Sequence, residues 1–133
     1  MLPYTSVGTH RRIKLQDLEA LKSRTERLRR EDRRSLWLAY ATAGKIVSDP
    51  ATSVERARKQ IAVMRPIARG QARLWLDEWE HLLDGPVDAV LATLTDPSLR
   101  GREMRQNSPF AGLLTDDERA AIITHWRESS GRR

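Results

Sequence analysis

The 133-residue chain has no cysteine. That excludes disulfides, thiolate metal sites and thiol catalysis. Phenylalanine occurs once and aromatic residues make up only 5% of the chain, so the four tryptophans supply most of the large apolar surface. No apolar run approaches the roughly 20 residues that span a bilayer, and the N-terminus carries no signal-peptide core. No membrane association is therefore expected, and a cytoplasmic location is. Glycine-rich phosphate loops, nucleophile elbows and dinucleotide fingerprints are all missing. The chain is thus not expected to be an enzyme or to need a cofactor. One stretch also lacks a whole charge class. Residues 74–99 contain no Lys or Arg, but hold Asp77, Glu78, Glu80, Asp84, Asp88 and Asp96.

Charge is plentiful elsewhere and unevenly placed. Asp, Glu, Lys and Arg account for 32% of residues, and the formal net charge is +6. Residues 1–34 hold 10 Lys/Arg against 5 Asp/Glu, whereas residues 35–133 hold 14 against 13. A basic N-terminal segment is the part that phosphates would attract, and the acidic stretch would repel them. Double-stranded DNA, if bound, is expected at the N-terminal end.

Periodicity points to a mostly helical chain. Asp17 sits where an acid favours a helix start. Leu15, Leu18 and Leu21 form an apolar stripe that Leu28 continues, and residues 22–34 are densely charged. These suit a solvated helix with ion pairs four residues apart, or a helix that contacts phosphate or flanks a dimer. The apolar face restarts at Leu36, Trp37, Ala39 and Tyr40. The helix runs unbroken to Val47 or breaks near Ser35, and it ends at Ser48-Asp49-Pro50. Further helices are expected over residues 54–68, from Gln71 to a stop at Gly85, from Pro86 at the first helical position to a break at Asp96-Pro97, and over residues 98–106 and 116–128. The last opens with a capping box of Thr115 and Glu118. The tryptophans sit on apolar stripes and read as core, with Trp126 the one best placed to anchor a partner. On one helix, Asp77, Glu80, His81 and Asp84 share a face. This reads as a solvated acidic surface, and no second acid–histidine cluster supports a metal or hydrolase site.

The first 22 residues carry the most specific signal. Residues 2–7 and 11–15 read as two strands joined at Gly8, a short hairpin with Thr9, His10, Arg11, Arg12 and Lys14 beside its turn. The run PYTSVGTHRRIKLQDLEAL resembles the C-terminal part of excisionase-type helix-turn-helix domains of the MerR-like superfamily. The resemblance implies that the hairpin is a DNA-binding wing, with Thr9, His10, Arg11, Arg12 and Lys14 contacting DNA. The two helices that precede the wing in such domains have no counterpart ahead of it here, so a truncated domain is expected.

A second segment, RGREMRQNSPFAGLL at residues 100–114, is similar to the C-terminal region of actinobacterial excisionase-type antitoxins. That resemblance implies a protein toxin as partner. Arg102, Arg105, Phe110, Leu113 and Trp126 are the candidate contacts, with Phe110 filling a pocket and the arginines reaching an acidic site. The alternative is that Phe110 and Leu113 fold back onto the chain's own core.

The expected architecture is therefore mostly α, an N-terminal β-hairpin followed by about six helices. Residues 1–34 form the wing and basic helix, and residues 35–133 a helical interaction domain. The expected function is a DNA-binding transcriptional regulator and antitoxin, a homodimer on paired half-sites. The alternative is a helical protein–protein interaction module without DNA binding.

Overall fold

The computed structural model describes residues 15–131. Among them are six helices and no strand: α1 Leu15–Ser48, α2 Pro50–Met64, α3 Gln71–Leu83, α4 Val87–Leu94, α5 Leu99–Gln106 and α6 Asp116–Gly131. Two units are distinguished, one ending at Glu31 and the other running from Asp32. The dividing point lies inside α1, three residues before the boundary expected after residue 34.

The expected fold class needs correction. Leu15 was assigned to the second strand of the hairpin, but it is the first residue of α1. The reason is local: Leu15, Leu18 and Leu21 follow a helical period, and Asp17 sits in the first turn, where an acid opposes the helix dipole. The described fold is all-helical, with no sheet. The other hairpin positions, and with them Thr9, His10, Arg11, Arg12 and Lys14, lie outside the described residues. α1 itself is one continuous helix through Ser35, where a break was an open possibility.

The helix ends follow from local chemistry. Asp49 caps α2 by accepting the Thr52 backbone N–H at 3.3 Å, and Pro50, which has no N–H to lose, opens the first turn. α2 thus begins four residues before the apolar stripe at Val54. Gly70 enters α3 with a φ of 56°, in the left-handed region that favours glycine. Ser98 caps α5 through the Gly101 N–H at 3.2 Å. The capping box at α6 is reciprocal: Glu118 N–H donates to Thr115 Oγ1 at 3.1 Å, and Thr115 N–H donates to Glu118 Oε1 at 2.9 Å.

Within the second unit the core gathers around Trp79. Its side chain is fully buried with Ile46, Ile61, Leu76, Val90 and Met104. The indole N–H donates to the Met104 carbonyl at 2.9 Å, so the polar atom of this large side chain is satisfied. Phe110 meets the same ring edge-on, with centroids 5.8 Å apart and planes at 77°.

The α4–α5 turn depends on one close approach. A Cβ on buried Gly101 would collide with the backbone carbonyl of Asp96. Asp96 in turn accepts the Ser98 N–H at 2.8 Å. That hydrogen bond, with the nearby Arg105 and Arg100, holds the Asp96 carboxyl below the usual carboxylate range.

Candidate functional site

The segment 100–114 is built into the fold. Phe110 is 3% exposed, and Leu113 and Pro109 are also buried. Phe110 and Leu113, expected as partner contacts, therefore pack within the chain's own core, as the alternative reading had it. The physical cause is the apolar seat that Trp79 and its neighbours offer to the only phenylalanine.

Two arginines of the segment, Arg102 and Arg105, bond within the fold, whereas Arg100 is exposed. Arg105 donates from Nη1 to the carbonyls of Leu94 and Asp96 and from Nε to Ser35 Oγ at 3.0 Å. It thereby braces the end of α4 against α5 and α1. Burial lowers its pKa, while Asp32 and Asp96 act in the opposite sense. Arg102 approaches Asp32 at 3.4 Å. Of the five predicted partner residues, Phe110 and Leu113 are buried and Arg102, Arg105 and Trp126 are half-buried.

The acidic helix α3 has a different surface from the one its sequence suggests. Arg65 pairs with Asp77 at 2.7 Å and with Glu80 at 3.4 Å; Arg58 pairs with Asp84 at 2.9 Å. Arg100 lies 5.9 Å from the Trp75 ring centroid and 3.3 Å from Glu78. Each of these arginines comes from outside residues 74–99. The Asp77 hydrogen bond, with help from Glu80, raises the Arg65 pKa. Among the described residues no three His, Asp or Glu side chains group to hold a metal ion.

An open cleft of the second unit lies between α1 and α6, lined by Trp37, Tyr40, Ala41 and Ile122. Tyr40 is 57% exposed. The Lys45–Glu118 ion pair at 2.9 Å joins the same two helices. The Thr115 backbone hydrogen bond and Lys45 together hold the Glu118 carboxyl below its ordinary range. Trp126 stands one turn beyond Ile122 on α6. Its indole N–H is shielded from solvent and has no acceptor among the described residues, which is uncommon for a tryptophan.

Trp37, expected in the core, is half-buried at this cleft beside the exposed Tyr40. The signal that separates both from the core is register. Ala39, Thr42 and Ile46 form the buried row of α1, and Trp37, Tyr40 and Gly44 fall beside it.

In the first unit, Lys22, Arg24, Arg27, Arg29 and Arg30 are all exposed. None of them pairs with a described acid. Arg27, Arg30 and Arg34 recur at three- and four-residue spacing, on the opposite side of the helix from Leu18, Leu21 and Leu28.

No helix of the described residues is long and apolar enough to cross a membrane. Comparison with protein-family models, curated proteins and solved structures returned no match for this chain.

Proposed function

We propose that the chain is a DNA-binding transcriptional regulator of the excisionase type and the antitoxin of a toxin–antitoxin pair. Its basic N-terminal part meets DNA, and its helical unit holds a protein toxin. The observation that carries the DNA reading is the row of exposed cations formed by Arg27 and Arg30, on the side of α1 away from the leucines and with no acid partner among the described residues. Such a row attracts a phosphate backbone and releases its counterions. The sequence resemblance at residues 3–22 supports the same reading. The toxin reading rests on the resemblance at residues 100–114 and on the cleft of Trp37, Tyr40, Ala41 and Ile122, with Trp126 one turn beyond it on α6. Partly exposed aromatic side chains such as Tyr40 and Trp37 anchor protein partners.

The test has two arms. In the first, the full chain is titrated against a duplex taken from its own upstream region at several salt concentrations. Arg27→Gln with Arg30→Gln is expected to reduce the slope of log K against log salt by about 2, one phosphate contact per arginine. An unchanged slope removes this helix from the DNA contact. In the second arm, the chain is co-expressed with the product of the neighbouring small open reading frame. Tyr40→Ala with Trp126→Ala is expected to raise the Kd of that complex by roughly tenfold or more. Absence of any complex ends the antitoxin reading. A complex without salt-dependent DNA binding leaves a helical protein–protein interaction module.

A further inference from the structure

Leu18, Leu21, Thr25 and Leu28 follow alternating spacings of three and four residues, the a and d positions of a heptad. The same spacing continues through Asp32, Ser35, Ala39, Thr42 and Ile46. From Asp32 onward these residues meet the second unit's own side chains: Asp32 meets Arg102, Ser35 meets Arg105, and Ala39, Thr42 and Ile46 are buried. Before Asp32 the row is uncovered. Leu15, Leu18, Leu21 and Leu28 are 71%, 49%, 58% and 41% exposed. Four leucines on one side of a charged helix are an apolar surface of the kind that marks an interaction site.

The flanking charges identify what fits it. With Leu18 at a and Leu21 at d, the e and g positions hold Lys22, Arg24 and Arg29, with Leu15, Asp17 and Glu31 at the ends. A second copy fits poorly. Antiparallel pairing with Leu18 opposite Leu28 sets Lys22 on Lys22, Arg24 on Arg24 and Asp17 on Glu31. Parallel pairing gains Asp17 beside Lys22 but sets Arg24 against Arg29. A helix with leucines on its seam and carboxylates at its flanks meets all three cations favourably and covers the leucines at once. We infer that the leucine row of α1 between Leu15 and Leu28 docks an acidic amphipathic helix of another protein. This site is separate from the aromatic cleft, and it lies on the side of the helix away from Arg27 and Arg30.

The experiment uses the full chain and two fluorescent helical peptides of about 28 residues, four heptads each. Both carry leucine at a and d. One carries glutamate at e and g, the other lysine. The glutamate peptide is expected to bind at least about tenfold more tightly than the lysine peptide. The gap is expected to narrow between about 50 mM and about 500 mM salt. Leu21→Lys with Leu28→Lys is expected to abolish binding while leaving the circular dichroism and thermal unfolding unchanged, since both side chains are exposed. Lys22→Glu with Arg24→Glu and Arg29→Glu is expected to invert the preference between the peptides. Three results overturn the inference: equal binding of the two peptides, binding of neither, or a wild-type dimer in sedimentation that the leucine substitutions disperse.

Discussion

Two stretches of α1 carry the same three-four spacing and meet opposite fates. Leu18, Leu21 and Leu28 are large and apolar, yet exposed. Ala39, Thr42 and Ile46 include one small residue and one hydroxyl, yet all are buried. Hydrophobicity therefore does not decide which stretch is covered. Neighbours do. From Asp32 onward the row faces residues of α5 and of the core around Trp79. In the described part of the first unit, no other element lies against the leucines. Thr42 is accommodated in its buried position because its hydroxyl donates to the Leu38 carbonyl at 2.9 Å, one turn back in the same helix.

The largest effect that tests this contrast is at the centre of the covered region. Trp79→Ala removes the largest buried side chain, takes one of two donors from the Met104 carbonyl, which keeps the Asn107 N–H, and takes the edge-on contact from Phe110. A loss of about 4 kcal/mol is expected from urea unfolding followed by tryptophan fluorescence and circular dichroism. Retention of wild-type stability would mean that the core is not organised around this residue.

Next comes a direct comparison of the two stretches. Ile46→Ala is expected to cost about 3 kcal/mol, because the side chain is fully buried. Leu21→Ala, a similar deletion on the same helix, is expected to change stability by no more than about 0.5 kcal/mol. Equal costs at the two sites would show that the leucine row is covered in solution, by this chain or by another copy. Dilution would then separate those two cases.

The smallest effect is electrostatic. Asp96 and Glu118 are both held below the ordinary carboxylate range in the fold. The unfolded chain therefore binds more protons than the folded one on the acid side. Their stabilisation is present above the ordinary carboxylate value near ~4 and is lost as pH falls from there through their lower folded values. Unfolding midpoints between about pH 5 and pH 2 are expected to fall less for Glu118→Gln than for the wild type. Both side chains face water, so the difference is small. Identical acid profiles for the two proteins would remove Glu118 from the account.

Much of the architecture was legible from local signals. The stops at Ser48-Asp49-Pro50 and at Gly85 and the Thr115–Glu118 box all mark real helix ends. Each depends on chemistry within four residues, where side chain and backbone meet without help from the rest of the chain. The reading of Leu15 as strand failed because a β-hairpin resemblance was carried one residue into a segment whose leucine period is helical. The candidate site was less legible. Arg105 and Phe110 stood out in the sequence for good reason, but their type alone does not say whether they serve the fold or a partner. A phenylalanine fits a foreign pocket and the space beside Trp79 equally well.

The sequence by itself determined the helices, their caps and the unequal placement of charge, because these depend on spacing and composition along the chain. Tertiary structure alone decided three other things. It turned Arg105 onto the Leu94 and Asp96 carbonyls. It brought Arg58, Arg65 and Arg100 onto an acidic helix that has no cation of its own. It covered Ala39 and Ile46 while Leu18 and Leu21 stayed exposed. Each of these pairs residues that are not sequence neighbours, or depends on such pairings. The energy of such contacts comes from burial and charge proximity, which exist only once the helices have come together.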